Sequence, residues 1–322
     1  MPITARLEGL LAKVEGTYGT DSVPVVGTDA VQVSERLISA LTIDYAWENT
    51  RDSVVTGTIL PIKPALPRGR KVQLDIAWSS RGQGAAYSAV LKPESSPLMR
   101  ACGGAETVIT TGGSESVSWQ QSSSNHESCT IYGYAQGKLY KIVGCRGKFM
   151  WPIVTGEIVI NRFRMFGFLS ADPADTALPG GFVYDAPEPL ANVNLGLSIG
   201  GIWTPDLLGC PGFDQGVDPQ LLESANAADG IKEFDYGEAN PTFTIVAKAV
   251  AAGVYDPHAE IKARTARTIA LNAGATNPTA QYNRQKLNVT GAYLNRWRPL
   301  IQNGFVGWEL IYKLIDWTVT FD

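Results

Sequence analysis

The feature that most constrains this chain is period-2 alternation. In Val72-Gln73-Leu74-Asp75-Ile76-Ala77-Trp78 apolar and polar residues take turns, so an extended backbone would offer one face to a core and one to water. Residues 156–168 keep the same rhythm through Ile158, Ile160 and Phe163, and residues 308–321 repeat it at the C-terminus. The 33 glycines and 19 prolines break these runs at the spacing of an all-β sandwich or barrel. The expected fold is mainly β, with a few short helices. Residues 3–14 place Leu7, Leu10, Leu11 and Val14 at helical spacing. Residues 88–102 read as a helix split by Pro93 and Pro97, and residues 219–228 as a helix behind an Asp218 cap.

At 322 residues the chain has room for two domains. An internal echo supports that division. Lys138-Leu139, Gly144, Trp151, Pro152 and Gly156 are answered in order by Lys286-Leu287, Gly291, Trp297, Pro299 and Gly304, at an offset of about 147 residues, which a duplicated domain explains. Between the halves, residues 170–192 carry Asp172-Pro173, Pro179-Gly180-Gly181 and Pro187-Glu188-Pro189, a breaker-rich and semi-rigid linker. The expected units are residues 1–169 with an N-terminal arm at 1–35, the linker 170–192, and residues 193–322. Both are expected to be β-sandwich or barrel-like, with Trp151, Pro152, Trp297 and Pro299 as core or interface anchors. That reading of Trp297 outweighs a base-stacking platform formed with Arg296 and Arg298.

Charge narrows the function classes. A net charge of −4 argues against gripping nucleic acid by phosphate neutralisation, and charged residues at 18% leave much neutral surface for burial against other chains. No window is long and apolar enough for a membrane span, and no secretion signal is evident, so the chain reads as cytosolic. Cys102, Cys129, Cys145 and Cys210 lack metal-ligand spacing and are expected to be buried thiols. His126, in a Ser-rich tract, and His258, after Asp256-Pro257, are expected at the surface. No metal or cofactor is expected.

Motifs for catalysis fall away on inspection. Gly196-Leu197-Ser198-Ile199-Gly200 has the spacing of a nucleophile elbow, which needs a helix after the serine; Gly200-Gly201 and Pro205 oppose one. Gly144-Cys145-Arg146-Gly147-Lys148 is too short for a phosphate loop and has no Ser or Thr after its lysine, and Ser79-Ser80-Arg81-Gly82-Gln83-Gly84 reads as a turn. The expectation is a non-enzyme.

The opening of the chain then carries a resemblance. Arg6-Leu7-Glu8, the run Leu10 to Asp21 with its Glu15-Gly16-Thr17-Tyr18-Gly19-Thr20-Asp21, then Pro24 and Asp29-Ala30-Val31, resemble the start of phage tail tube (major tail) proteins. Leu98-Met99-Arg100-Ala101-Cys102-Gly103 and Thr155-Gly156-Glu157-Ile158 are similar to later segments of that domain, and the second half joins through the internal repeat. The resemblance implies two tail-tube domains in tandem, self-assembling into stacked rings around a hollow lumen through which DNA passes. A mildly acidic surface would let DNA slide rather than stick. It also implies tape-measure, tail-tip and tail-terminator partners, residence in the virion tail, and assembly in the host cytoplasm. Six domains per ring supplied by three chains is favoured over six chains. Residues 15–31, with Tyr18, Gly19 and Pro24, read as an inter-subunit arm. Residues 103–128, with Gly112, Gly113, Ser123 and Asn125, read as an inter-ring loop. A β-rich surface adhesin and, behind it, a serine hydrolase are the competing readings; ring or tube formation separates them.

Overall fold

A computed structural model describes residues 8–35, 37–44, 70–185, 187–200, 203–226, 231–274 and 282–322. Alternation becomes strands wherever it was strong. The first half supplies β1 (Gly9–Val14), β2 (Ala30–Val31), α1 (Leu37–Ala40), β3 (Leu41–Asp44), β4 (Lys71–Ser79), α2 (Ser96–Ala101), β5 (Gly104–Ile109), β6 (Ser116–Gln121), β7 (Cys129–Ala135), β8 (Lys138–Ile153) and β9 (Ile160–Leu169). After β10 (Ala174–Asp175) come β11 (Ser198–Ile199), β12 (Leu207–Asp214), β13 (Gln220–Glu223), β14 (Ile231–Asp235), β15 (Thr242–Lys248), α3 (Pro257–Ala263), β16 (Arg267–Ala273), β17 (Gln285–Gln302), β18 (Phe305–Leu314) and β19 (Thr318–Phe321). The fold is mainly β, as the punctuated alternation implies.

Inward residues of the alternating runs build the core. Val72, Leu74 and Ile76 of β4 face the same side as Phe163 and Met165 of β9, all at most 2% exposed. Trp78, Trp119, Trp151, Phe149, Phe243 and Tyr312 are sealed with them. Fully burying an aliphatic or Phe side chain stabilises by about 1.5–3 kcal/mol, so these strands are held by their inner faces.

Among the described residues, hydrogen-bonded pairing links seventeen of the strands, and β13 and β14 form a separate hairpin. Within this network one arrangement occurs twice. β3–β4–β9–β8–β7–β1 is an antiparallel run of six strands. β12–β15–β18–β17–β16–β11 is another, with its strands taken up in the same chain order. A short helix falls between the third and fourth strands of each set in chain order, α2 after β4 and α3 after β15. Each long central strand carries an irregularity at a glycine. β8 breaks register with both β7 and β9 around Gly144, whose φ of 62° suits a residue without Cβ. β17 breaks register with β16 between Val289 and Ala292, around Gly291.

Three helix expectations are corrected. Gly9–Val14 is a strand buried between β2 and β7, and an apolar run buried on both faces is ambiguous between helix and strand by periodicity; residues 1–7 lie outside the described residues. Gln220–Glu223 is a strand paired with β14, a tertiary partner that local capping chemistry could not announce; 227–228 lie outside the described residues. Of residues 88–102 only Ser96–Ala101 is helical. Pro97 sits in its first turn, where no N–H is needed, so it starts the helix instead of splitting it.

Candidate assembly interface

The halves of the chain meet edge to edge. The distal end of β8 pairs with β12, with Met150 opposite Asp214, Trp151 opposite Phe213 and Ile153 opposite Cys210. A second seam joins β6 to β19, from Val117–Phe321 to Gln120–Thr318. Polar contacts hold the same boundary: Gln285 Oε1 accepts from Ser80 Oγ at 2.5 Å and from Asn161 Nδ2 at 3.0 Å, all three residues being buried.

The β13–β14 hairpin folds back across the boundary onto Arg146. That guanidinium, 6% exposed as a residue, donates to Phe234 O at 2.6 Å, Asp235 Oδ1 at 3.1 Å and Glu233 Oε2 at 3.2 Å. It also donates to His126 O at 2.7 Å and lies 4.7 Å over the Tyr18 ring. Phe234 stacks on Phe168 beside it. Burial opposes ionisation of Asp235, but the Tyr236 N–H, His126 and Arg146 outweigh it and hold its carboxyl below the usual range.

The proposed arm folds onto its own chain. Glu15 turns inward, and its carboxylate accepts from Ser128 Oγ at 2.6 Å, Gly144 N at 2.7 Å, Gly19 N at 2.8 Å and Thr130 Oγ1 at 2.9 Å. Tyr18 is half-buried and accepts from Phe234 N at 2.8 Å; Pro24 is buried and Gly19 exposed. The stretch 103–128 likewise buries far more than its composition suggested. Val117 and Trp119 are 0% exposed because β6 is sandwiched between β5 and β19. Gly112, Gly113, Ser123 and Asn125 are exposed at the two turns flanking β6.

Among the proposed anchors, Trp151 is 0% exposed under β12, and Pro152 is half-buried beside it. Trp297 is half-buried against the core and Pro299 exposed. Their strand register shifts the expected equivalence: Trp297 pairs with Leu310 of β18 much as Phe149 pairs with Phe163 of β9. The extra residue at the break between Leu294 and Arg296 moves Trp297 off the position of Trp151, onto a neighbouring site of the same face.

His126 is half-buried and engaged rather than freely exposed. Its ring lies edge-on to Tyr236 at 4.8 Å, with Nδ1 3.1 Å from Asp235 Oδ1. His258 is exposed in the first turn of α3, whose cap is Asp256. The four cysteines are buried free thiols. Burial pushes Cys102 and Cys145 well up and Cys210 up to about 12, which keeps them protonated and unreactive. Ser198 lies in β11, whose next residue, Ile199, bridges to Trp203. Sequence reading missed Glu15, Arg146 and the edges of β3 and β17; a lone carboxylate or guanidinium has no local pattern that announces burial.

Fold and junctions define a β-protein whose sheets meet by their edges. The phage tail tube protein family model matches residues 6–293, and the chain belongs to that family. No curated protein matches the sequence. The chain is thus a structural protein of the virion tail. No helix among the described residues is long and apolar enough to cross a membrane.

Proposed function

We propose that this chain forms the wall of the tail tube as stacked rings, each containing six copies of a duplicated domain supplied by three chains. The observation that carries the reading is the recurrence of one six-strand arrangement in the same chain order, with the two occurrences joined edge to edge through β8 and β12. A ring needs each unit to offer one edge and accept another, and the chain already makes one such step internally.

In this reading residues 1–169 and 193–322 are the two domains, and 170–192 is a strap that runs along the first. Leu190 N donates to Ser80 O at 2.8 Å, and Phe182 packs on Tyr134. The exposed turns at Gly112-Gly113 and Ser123-Asn125 face outward for contact between rings. The acidic balance of the chain suits a lumen along which DNA moves without adhering. Tape-measure, tail-tip and tail-terminator proteins are the expected partners, met during assembly in the host cytoplasm. Negative-stain electron microscopy of the concentrated chain tests the reading. Rings or tubes are expected; a monomeric population at every concentration and salt would overturn it.

A further inference from the structure

Among the strand edges with no paired neighbour in the described residues, two are the counterparts of edges that meet inside the chain. β17 pairs with β16 only as far as Ala292 and with β19 only as far as Asn288, so among the described residues the main chain of Tyr293 to Gln302 is laddered to β18 alone, while the Gln302 side chain donates to Leu208 O at 3.1 Å. The matching stretch of β8, Met150 to Ile153, is covered by β12. At the other end of the arrangement, among the described residues, Leu41 to Ile43 of β3 are paired with β4 on one side, whereas the counterpart β12 pairs with both β15 and β8.

The correspondence follows strand by strand. Arg146 and Tyr293 stand just beyond Gly144 and Gly291, where the register breaks. Arg146 pairs with Phe166, Phe166 with Gln73, and Gln73 with Thr42. In the second half Tyr293 pairs with Lys313, Lys313 with Thr242, and Thr242 with Asp214. Thr42 is therefore the counterpart of Asp214. Further along, past the extra residue near Asn295, Arg298 stands opposite Glu309 as Met150 stands opposite Arg162. Asp214 pairs with Met150, so the matching partner of Thr42 is Arg298.

We propose that β3 of one copy adds antiparallel to the free edge of β17 in the next copy, with Thr42 opposite Arg298, Ile43 opposite Trp297 and Leu41 opposite Pro299. This rests on the ring reading and names the contact that closes the ring. It repeats between chains the junction that β12 and β8 make within one. Exposure supports it. Ile153 of β8 is 2% exposed beside β12, whereas Ile301, at the matching place on β17, is 78% exposed. Trp151 is sealed, while Trp297 and Ile43 are only half-buried. An added strand would cover these groups and satisfy the main-chain edge at once. Pro299 brings a carbonyl but no N–H, so donors from β17 must come from residues flanking it. A proline there also blunts the edge against indiscriminate pairing before the correct copy arrives.

The test is cross-linking of the full chain carrying Thr42→Cys and Arg298→Cys, both at exposed positions. The four native thiols are buried and give little background. Under assembling conditions, oxidation or a short bismaleimide is expected to shift the band on a denaturing gel from one chain mass to two and three. A mixture of the two single variants should stop at two. Met150→Cys with Asp214→Cys, at the internal junction, should link within one chain with no mass increase. Rings in the microscope without intermolecular links would overturn this junction and leave the tube reading standing. Neither rings nor links would overturn both.

Discussion

Glu15 shows how a single buried carboxylate organises the start of the chain. Four donors from three separate segments converge on it, and one of them is the main chain of Gly144 at the bulge of β8. Replacing Glu15 by alanine strands these donors in a buried place, and the expected loss is about 2–4 kcal/mol of stability, read as a lower urea midpoint with an unchanged slope. The sequence around Glu15 carried the family resemblance, yet nothing in it told whether the segment would leave the chain or fold back. That outcome depends on Ser128, Thr130 and Gly144, more than a hundred residues away. Arg146 is the same kind of case: its neighbourhood suggested a failed phosphate loop, and its partners lie on a hairpin of the other half.

At the scale of elements, strands were legible because alternation reports a half-buried surface directly. β4, β9 and β18 stand where the alternating runs put them. β1 and β13 were illegible because one is buried on both faces and the other is fixed by its partner. The strap at 170–192 was legible as irregular chain, but its attachment was not. There Glu94 and Asp185 bind each other's main-chain N–H groups, and Gln83 Nε2 donates to Asp185 at 2.5 Å. Burial, then the nearby Glu94, pushes the Asp185 carboxyl up to about 7. A raised carboxylate pKa means the folded state holds the proton more tightly, so this site favours folding at about pH 4 and loses that contribution as pH rises through 7. The size is below about 4 kcal/mol, because Asp185 is partly exposed and solvent screens it. Melting temperature should fall between about pH 4 and 7 and level off above that, and Asp185→Asn should flatten that slope; an equally steep slope in the variant would exclude Asp185 as its source. The turns flanking β6 give a further test. Removing the whole segment 112–125 would take Trp119 out of the core, so only the tip is informative. Deleting Gly112 and Gly113 alone should leave the melting temperature within a few degrees of the parent chain, on the order of a surface change, while tubes shorten to single rings. Full-length tubes would remove the inter-ring role from that turn.

For the whole molecule the question is how many chains close a ring. If the unit were the entire chain acting as one block, six chains would each contribute one wall segment and the second half would decorate it. The strand order speaks for the other arrangement, since both halves carry the same six-strand set and the internal junction uses one edge from each. A chain that contributes two wall segments makes every second junction intramolecular. Such a junction forms at the effective concentration set by the connection rather than at the concentration of protein, so half of the contacts in a ring are in place before any two chains meet. It also frees the halves to diverge, because each then faces one kind of neighbour within its chain and another across chains. In the proposed arrangement the hairpin β13–β14 would be such a difference between the halves, since it reaches from the second half onto Arg146 of the first. Native mass spectrometry of isolated rings decides the stoichiometry. Three chain masses per ring are expected, and image classification of the same rings should show six similar wall segments alternating between two kinds. Six chain masses would place the second half outside the wall and overturn the three-chain ring, whatever the fate of the individual junctions.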